Sequence, residues 1–329
     1  MKKIAIFLTV LTALVLPGAH PEFNADITGD KKPWTNENFP DISVDNGNFT
    51  FAVVPDRTGG ARKGVFQAAM HKINSLCPDF VMCVGDLVEG TDAKNPSRDD
   101  IDKQWQELRA KTAILKMPFF YTVGNHDINR NNPHTDRRFV ISQAAWQDNF
   151  GKRTYYSFTY RNALFIMLNT MEDGDKRNSP TPISATQLQW VQETLKKHPS
   201  VRWTFIFMHH PKFNTKEFRQ IEKTLAGKNY TVFAGDWHRY TKFSRYGRNY
   251  YVLSTCGGGI PREGKKRVPA HRGPEYGEMD HITWVTLTPS GPVVANILVD
   301  GIVADDVATQ NSIKAPVRRK LDIPADAGK

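Results

Sequence analysis

Cysteine is scarce in this chain: Cys77, Cys83 and Cys256 are the only three among 329 residues. So few thiols, and an odd number of them, exclude the disulfide framework that staples many small exported domains, so stability has to come from a packed core. Cys83 lies inside the apolar run from Phe80 to Val84 and reads as a small core residue. Long apolar runs are also missing. The longest, Ile4 to Leu16, falls short of the roughly 20 residues that a bilayer span requires. There is no internal repeat. Nor is there a basic stripe interleaved with aromatics, since the lysines and arginines are scattered apart from Lys265-Lys266-Arg267 and Arg318-Arg319-Lys320. A stable nucleic-acid partner is therefore not expected.

What is present begins with Lys2 and Lys3, the apolar run, and Pro17-Gly18-Ala19, the three regions of a secretory signal peptide over residues 1–19. No cysteine follows to carry a lipid. The expectation is an exported protein, periplasmic or extracellular, with no transmembrane segment in its mature form. Its formal charge of +10 falls by two when Lys2 and Lys3 leave, and the remainder favours anionic ligands by long-range attraction. Nineteen Phe, ten Tyr and seven Trp are enough to fill the core of one large domain.

Residues 20–45 are polar and proline-punctuated, which predicts a linker or surface strap. One domain is expected over 46–304, followed by a loosely ordered tail over 305–329. Within the domain, apolar runs of strand character alternate with amphipathic segments. Strands are predicted at Phe49 to Val54, Phe80 to Val84 and Phe119 to Val123, with helices from about Lys63 to Leu76 and Asp99 to Leu115 between them. A hairpin (Thr154 to Thr159, Ala163 to Leu168), a helix from Ser184 to His198, and strands at Trp203 to Met208, Tyr230 to Ala234, Tyr250 to Ser254, Ile282 to Thr288 and Val293 to Val299 follow. One further helix is read near Lys216 to Leu225. This is a layered α/β pattern, and such folds carry function on loops at the carboxyl ends of strands.

Five such loops are rich in donors: Pro55-Asp56-Arg57-Thr58-Gly59-Gly60, Gly85-Asp86-Leu87-Val88-Glu89, Gly124-Asn125-His126-Asp127, His209-His210-Pro211 and Gly235-Asp236-Trp237-His238. Any one alone reads as a turn or a structural histidine. Together they supply the mixture of oxygen and imidazole donors that hard or borderline cations select. Arg57, beside two glycines that leave room for a ligand, is read as a guanidinium for a phosphate oxygen.

At this point the chain resembles the calcineurin-like metallophosphoesterases, whose motifs run Asp-x-His, Gly-Asp, Gly-Asn-His-Asp/Glu, a strand-end His, and Gly-His-x-His. The resemblance covers about Phe49 to Ser254. It implies a four-layer α-β-β-α sandwich with two mixed β-sheets. It also implies a dinuclear centre of divalent or trivalent ions (Mn, Fe, Mg or Zn) that hydrolyses phosphate esters with a metal-activated hydroxide. By position, Asp86 bridges the two ions, Asp56 and His238 hold the first, and Asn125 and His209 hold the second. His209 is preferred to His210, which stays open, because it stands two residues before Pro211. Asn125 and His126 face substrate, and His126 protonates the leaving oxygen with Asp127 holding its imidazole. The chain departs from the family at Thr58 and Asp236, where histidines are expected. A carboxylate at Asp236 favours Mn or Fe over Zn, and Glu89 is the candidate compensating ligand at the first ion. The substrate is expected to be a phosphorylated small molecule, lipid or glycan. Monoesterase, diesterase, pyrophosphatase and non-catalytic binding all remain open at this level.

Overall fold

A computed structural model describes residues 24–25, 47–90, 97–128, 136–172, 183–259, 262–263, 266–267, 273–299 and 301–304. The expected signal peptide, nearly all of the expected strap and the expected tail lie outside the described residues. Along the chain the elements are β1 (Asn24–Ala25), β2 (Phe49–Val54), α1 (Val65–Leu76), β3 (Phe80–Cys83), α2 (Arg98–Thr112), β4 (Phe119–Phe120) and α3 (Arg137–Phe150). Then come β5 (Tyr156–Tyr160), β6 (Ala163–Met167), α4 (Ala185–Lys197), β7 (Trp203–Phe207), α5 (Lys216–Thr224), β8 (Tyr230–Ala234), β9 (Thr241–Arg245) and β10 (Arg248–Val252). The short pair β11 (Arg262–Glu263) and β12 (Lys266–Arg267) precedes β13 (His281–Thr288), β14 (Gly291–Leu298) and β15 (Ile302–Ala304).

The strands form two large mixed sheets. One has the order β15-β14-β13-β2-β3-β4 and the other β1-β5-β6-β7-β8-β10-β9. In the first, β2, β3 and β4 run parallel while β13 to β15 are antiparallel. In the second, β6, β7, β8 and β10 are parallel, flanked by antiparallel β5 and β9. The parallel strands are continuously apolar because both of their faces are covered. One face of the first sheet packs on α1, α2 and α3 through Val81, Met70, Trp105 and Trp146, and the outer face of the second packs on α4 and α5 through Ile206, Val191 and Phe218.

Between the sheets lies an aromatic layer. Phe51 stacks on Phe80 at 5.5 Å and meets Phe205 edge-on at 5.0 Å, while Phe165 stacks on Phe158 at 4.7 Å. Rings bury the largest area per residue, and these geometries suit their quadrupoles. The result is the four-layer α-β-β-α arrangement.

Two expectations are corrected. The strand predicted to run from Phe119 to Val123 ladders only at Phe119 and Phe120; beyond them the Thr122 N–H donates to Cys83 Sγ at 3.2 Å, and the Tyr121 carbonyl accepts from the Tyr156 hydroxyl at 2.8 Å. Side chains of neighbouring strands thus take over the backbone groups a ladder would use. Helix α3 is the second difference, since no element is predicted between Val123 and Thr154. It buries Phe139, Ser142, Ala145, Trp146 and Phe150, a helical stripe, and Asp136 caps it by accepting from the Arg138 N–H.

Candidate metal centre

The two sheets meet at the carboxyl ends of β2, β3, β7 and β8. Isolated bridges from Asp56 to Thr255 and from Thr255 to Asp280 stitch the loops of one sheet to those of the other. Arg62 clamps this seam, donating to both oxygens of Asp280 at 2.7 and 2.5 Å, and Asp280 also accepts from the Thr255 hydroxyl and the Gly257 N–H.

Asp56, Asp86, Asn125 and His209 are all buried on this edge. Ligand atoms of Asp56, Asp86 and His209 lie within 4.8 Å of one another, as do those of His209, His210 and Asp236. His209 Nε2 sits 3.3 Å from Asp86 Oδ2 and 2.9 Å from Asn125 Oδ1. His238 Nε2 sits 3.3 Å from Asp56 Oδ2. Each of these imidazoles is anchored through its other nitrogen by a backbone carbonyl: His209 Nδ1 by Val84 O at 2.9 Å, and His238 Nδ1 by Gly259 O at 2.6 Å. A carbonyl can only accept, so Nδ1 carries a proton in both rings and Nε2 is aimed into the cluster. That is how metal-binding histidines are oriented.

The backbone is strained where it delivers these groups. Asp86, Asp236 and His238 have φ of 56°, 68° and 50°, the left-handed region that non-glycine residues avoid. Gly124 and Gly235 allow the close approaches, since a Cβ would collide with Asp86 at the first and with Asp56 Oδ1 at the second. Gly59, itself at φ 80°, keeps open a space whose Cβ would stand 2.9 Å from His238 Cε1 and 3.5 Å from His126 Nε2.

Charge is concentrated here. Burial raises the Asp56 carboxyl against the pull of His209 and His238. Burial would raise Asp86 too, but the imidazoles of His209 and His126 carry it well below the usual carboxylate range. Burial works against protonation of His209 and His238, yet the surrounding carboxylates raise both, with Asp86 and Asp56 acting on His209 and Asp56 foremost on His238. A field that holds protons on two buried imidazoles is the field that attracts cations in their place. Asp56 Oδ1, fully buried and without a hydrogen-bond partner, is a lone pair aimed at nothing in the protein. The residues present therefore fit a metal centre.

Three candidate residues sit differently from expectation. Asp127 does not hold His126. Its two oxygens accept the N–H groups of Asp86, Leu87, Val88 and Gly124 at 2.8 to 3.1 Å, so it braces the loops that carry Asp86 and Asn125. His126 Nδ1 instead meets the Glu89 carbonyl at 2.7 Å, and its Nε2 lies 4.0 Å from Asp86 Oδ2. The Glu89 carboxylate accepts from the N–H groups of Gly60 and Ala61, tying the first loop to the second. Arg57 donates to the Leu87 carbonyl at 2.6 Å and to Glu107 at 3.2 Å, with its guanidinium over the Phe66 ring. Its partner is a local carboxylate. The Thr58 hydroxyl is likewise engaged, donating within reach of the Asp86 and Val88 carbonyls.

Sequence reasoning missed the carbonyls of Val84 and Gly259, because backbone acceptors leave no mark on residue identity. It also gave no role to Arg62, although the charge pair with Asp280 flanks two glycine-rich loops. His281 is structural, its Nε2 accepting from the Ser254 N–H and its Nδ1 facing Asn296.

The calcineurin-like phosphoesterase family profile matches residues 49–253, and the chain belongs to that family. A dimetal phosphatase from Danio rerio is 15% identical over 78% of this chain and 98% of its own, with a TM-score of 0.53. GAP50, the anchor in the inner membrane complex of Plasmodium, is 14% identical over 78% of this chain and 86% of its own, with a TM-score of 0.54. Purple acid phosphatase PPD1 from yellow lupin seeds is 13% identical over 78% of this chain, with a TM-score of 0.56; the match covers 53% of the lupin chain. No curated protein matches the sequence. Such likenesses establish the fold, and a fold shared by phosphatases and an anchor leaves the function to the site.

Proposed function

We propose that the protein is an exported hydrolase of phosphate esters with a dinuclear metal centre. The family and the cluster support metal-dependent phosphoester chemistry; the ligand roles, the mechanism and the location are our reading. Asp86 is the shared ligand, Asp56 and His238 serve one cation, and Asn125 and His209, with Asp236, serve the other. The observation that carries this is the pair of imidazoles locked by Val84 and Gly259 with both Nε2 atoms turned onto buried carboxylates.

Two bound cations would neutralise phosphoryl oxygens and lower the pKa of a water. The protein's own groups do the rest. Asn125 presents a neutral amide at the edge of the cluster, His126 is the proton donor to the leaving oxygen through Nε2, and the Glu89 carbonyl orients its ring by accepting from Nδ1. Asp127 keeps the loops of Asp86 and Asn125 at one spacing, so the donors are placed before a ligand arrives. The carboxylate of Asp236, where the family places imidazole, supports Mn or Fe over Zn. Export is supported by the basic and apolar N-terminal segment, and among the described residues no helix is long and apolar enough to cross a membrane.

The test is to measure bound metals and assay p-nitrophenyl phosphate and bis-p-nitrophenyl phosphate with Mn²⁺, beside Asp86→Ala and Asn125→Ala. The expected result is turnover that chelation and either substitution abolish, and the preferred ester separates mono- from diesterase. Two bound metals with no turnover of any phosphate ester would favour a binding protein instead.

A further inference from the structure

A cavity of about 1000 Å³ lies at the end of β8 away from the metal centre. From Tyr230, which lines it, to Asp236 is six residues, roughly 20 Å at about 3.3 Å per residue. Its long wall is one face of α5. Lys216, Arg219 and Lys223 stand at i, i+3 and i+7, which places three cations in a row about 10 Å long at 1.5 Å per residue. Lys228 and Arg248 also line the cavity, Lys228 Nζ donating to the Pro199 carbonyl at 3.2 Å and Arg248 to the carbonyls of Lys228 and Gly247. Among the described residues Glu222 is the single acid in the lining, and its charge is already spent. It is buried, lies 3.0 Å from Arg245, and accepts from the Tyr250 hydroxyl at 2.7 Å. The lining therefore carries five cations against a single carboxylate that is already engaged by Arg245.

A different observation says what else the ligand carries. Tyr246 and Gly247 form the two-residue turn between β9 and β10, with φ of 53° and 66°. Such turns favour Asn-Gly, and a bulky residue at positive φ is an outlier. Tyr246 is also 57% exposed, so burial does not compensate for the strain. Arg245 places its guanidinium 5.1 Å from the ring centroid, over one face of a ring that lines the cavity. A costly backbone state that presents an aromatic ring to solvent beside five cations fits recognition of a flat ring bearing phosphates.

We propose that this groove is a nucleotide-binding site, separate from the metal centre, in which the α5 cations take the phosphates and Tyr246 stacks on the base. A base gains from stacking on an aromatic side chain, while phosphate gains from the Lys and Arg row. The volume lies at the upper end of small-molecule pockets, with room for a nucleotide and its water.

The experiment is calorimetric titration of the full-length protein with ADP and, separately, inorganic pyrophosphate, in excess chelator so that the metal centre contributes nothing. Lys216→Glu/Lys223→Glu should weaken both ligands at least about tenfold by reversing two charges on an exposed face. Tyr246→Asn should weaken ADP on the order of tenfold and leave pyrophosphate unchanged. It should also raise Tm, because Asn suits the turn. Both variants should hydrolyse p-nitrophenyl phosphate as the parent does with Mn²⁺ restored. Failure of ADP to bind, or binding indifferent to the lysine pair, would overturn the site. Loss of ADP and pyrophosphate in equal measure on Tyr246→Asn would overturn its assignment to nucleotides.

Discussion

The two sides of the metal cluster are unequally supplied. Around His209 the donors are abundant: Asn125 and Asp86 touch its Nε2, and His210 and Asp236 stand close enough to share a cation. Around His238 they are sparse. Asp56 is there, but the Thr58 hydroxyl is occupied by loop carbonyls and the Glu89 carboxylate by loop N–H groups. One strand-edge architecture has thus produced a rich site and a lean one. The difference follows from the two departures from the family pattern: Asp236 still brings a donor, whereas Thr58 became a brace. Affinity follows donor number and charge, so the two cations of the proposed centre should be held with different strengths.

In the proposed ligand set Asp86 is shared by both sides, so its removal should erase the contrast. Changes to groups that only orient a ligand typically cost 10- to 100-fold, so Asp86→Ala should cost more than about 100-fold in kcat/KM. It should also empty both sites in elemental analysis. A variant that retains one tightly held metal would show that Asp86 is not shared.

Asp236→Ala sharpens the contrast from the rich side. It should lower activity on the order of 10- to 100-fold and weaken one metal while the other stays, read by metal titration after chelation. Asp236→His should restore binding and shift preference towards Zn²⁺, since imidazole suits the softer ion. Equal weakening of both metals would break the division into rich and lean sites.

Asp127→Asn tests the frame that both sides hang on. The substitution sets an amide NH₂ against backbone N–H groups that now donate to a carboxylate, leaving at least one buried donor unsatisfied. The expected cost is about 1–3 kcal/mol of stability, read by chemical denaturation, with activity falling by roughly 10-fold or more as Asp86 and Asn125 lose register. A change in the pH profile with full stability would restore Asp127 as the partner of His126.

Much of this was legible in the sequence, and what was not has a common cause. The apolar runs from Phe49, Phe80, Trp203 and Tyr230 are strands because both faces of a parallel strand are covered, so periodicity and residue type carry the signal. The donors end up together because each follows such a run. What a side chain does once there depends on backbone atoms of other loops. The Val84 and Gly259 carbonyls, the four N–H groups on Asp127, and the N–H groups of Gly60 and Ala61 on Glu89 are invisible to residue type. The strand beyond Phe120 stopped short for the same kind of reason, because Cys83 Sγ and the Tyr156 hydroxyl intervened.

Arg57 is where sequence and structure part most clearly, and its substitution should have the smallest catalytic effect. Placed next to Asp56 and two glycines, it has the address of a phosphate-binding group. The structure buries it and spends its fork on Leu87 O and Glu107, so it fastens the Asp86 loop to α2. Glu107 is half exposed, which leaves the ion pair weak, whereas the bond to the buried carbonyl matters more. Arg57→Met should therefore cost about 1–2 kcal/mol in denaturation, mostly through the orphaned carbonyl, with KM for p-nitrophenyl phosphate within about 2-fold of the parent. A rise in KM beyond about tenfold at unchanged stability would return the guanidinium to the substrate, and would mean that the Asp86 loop opens on binding to release it.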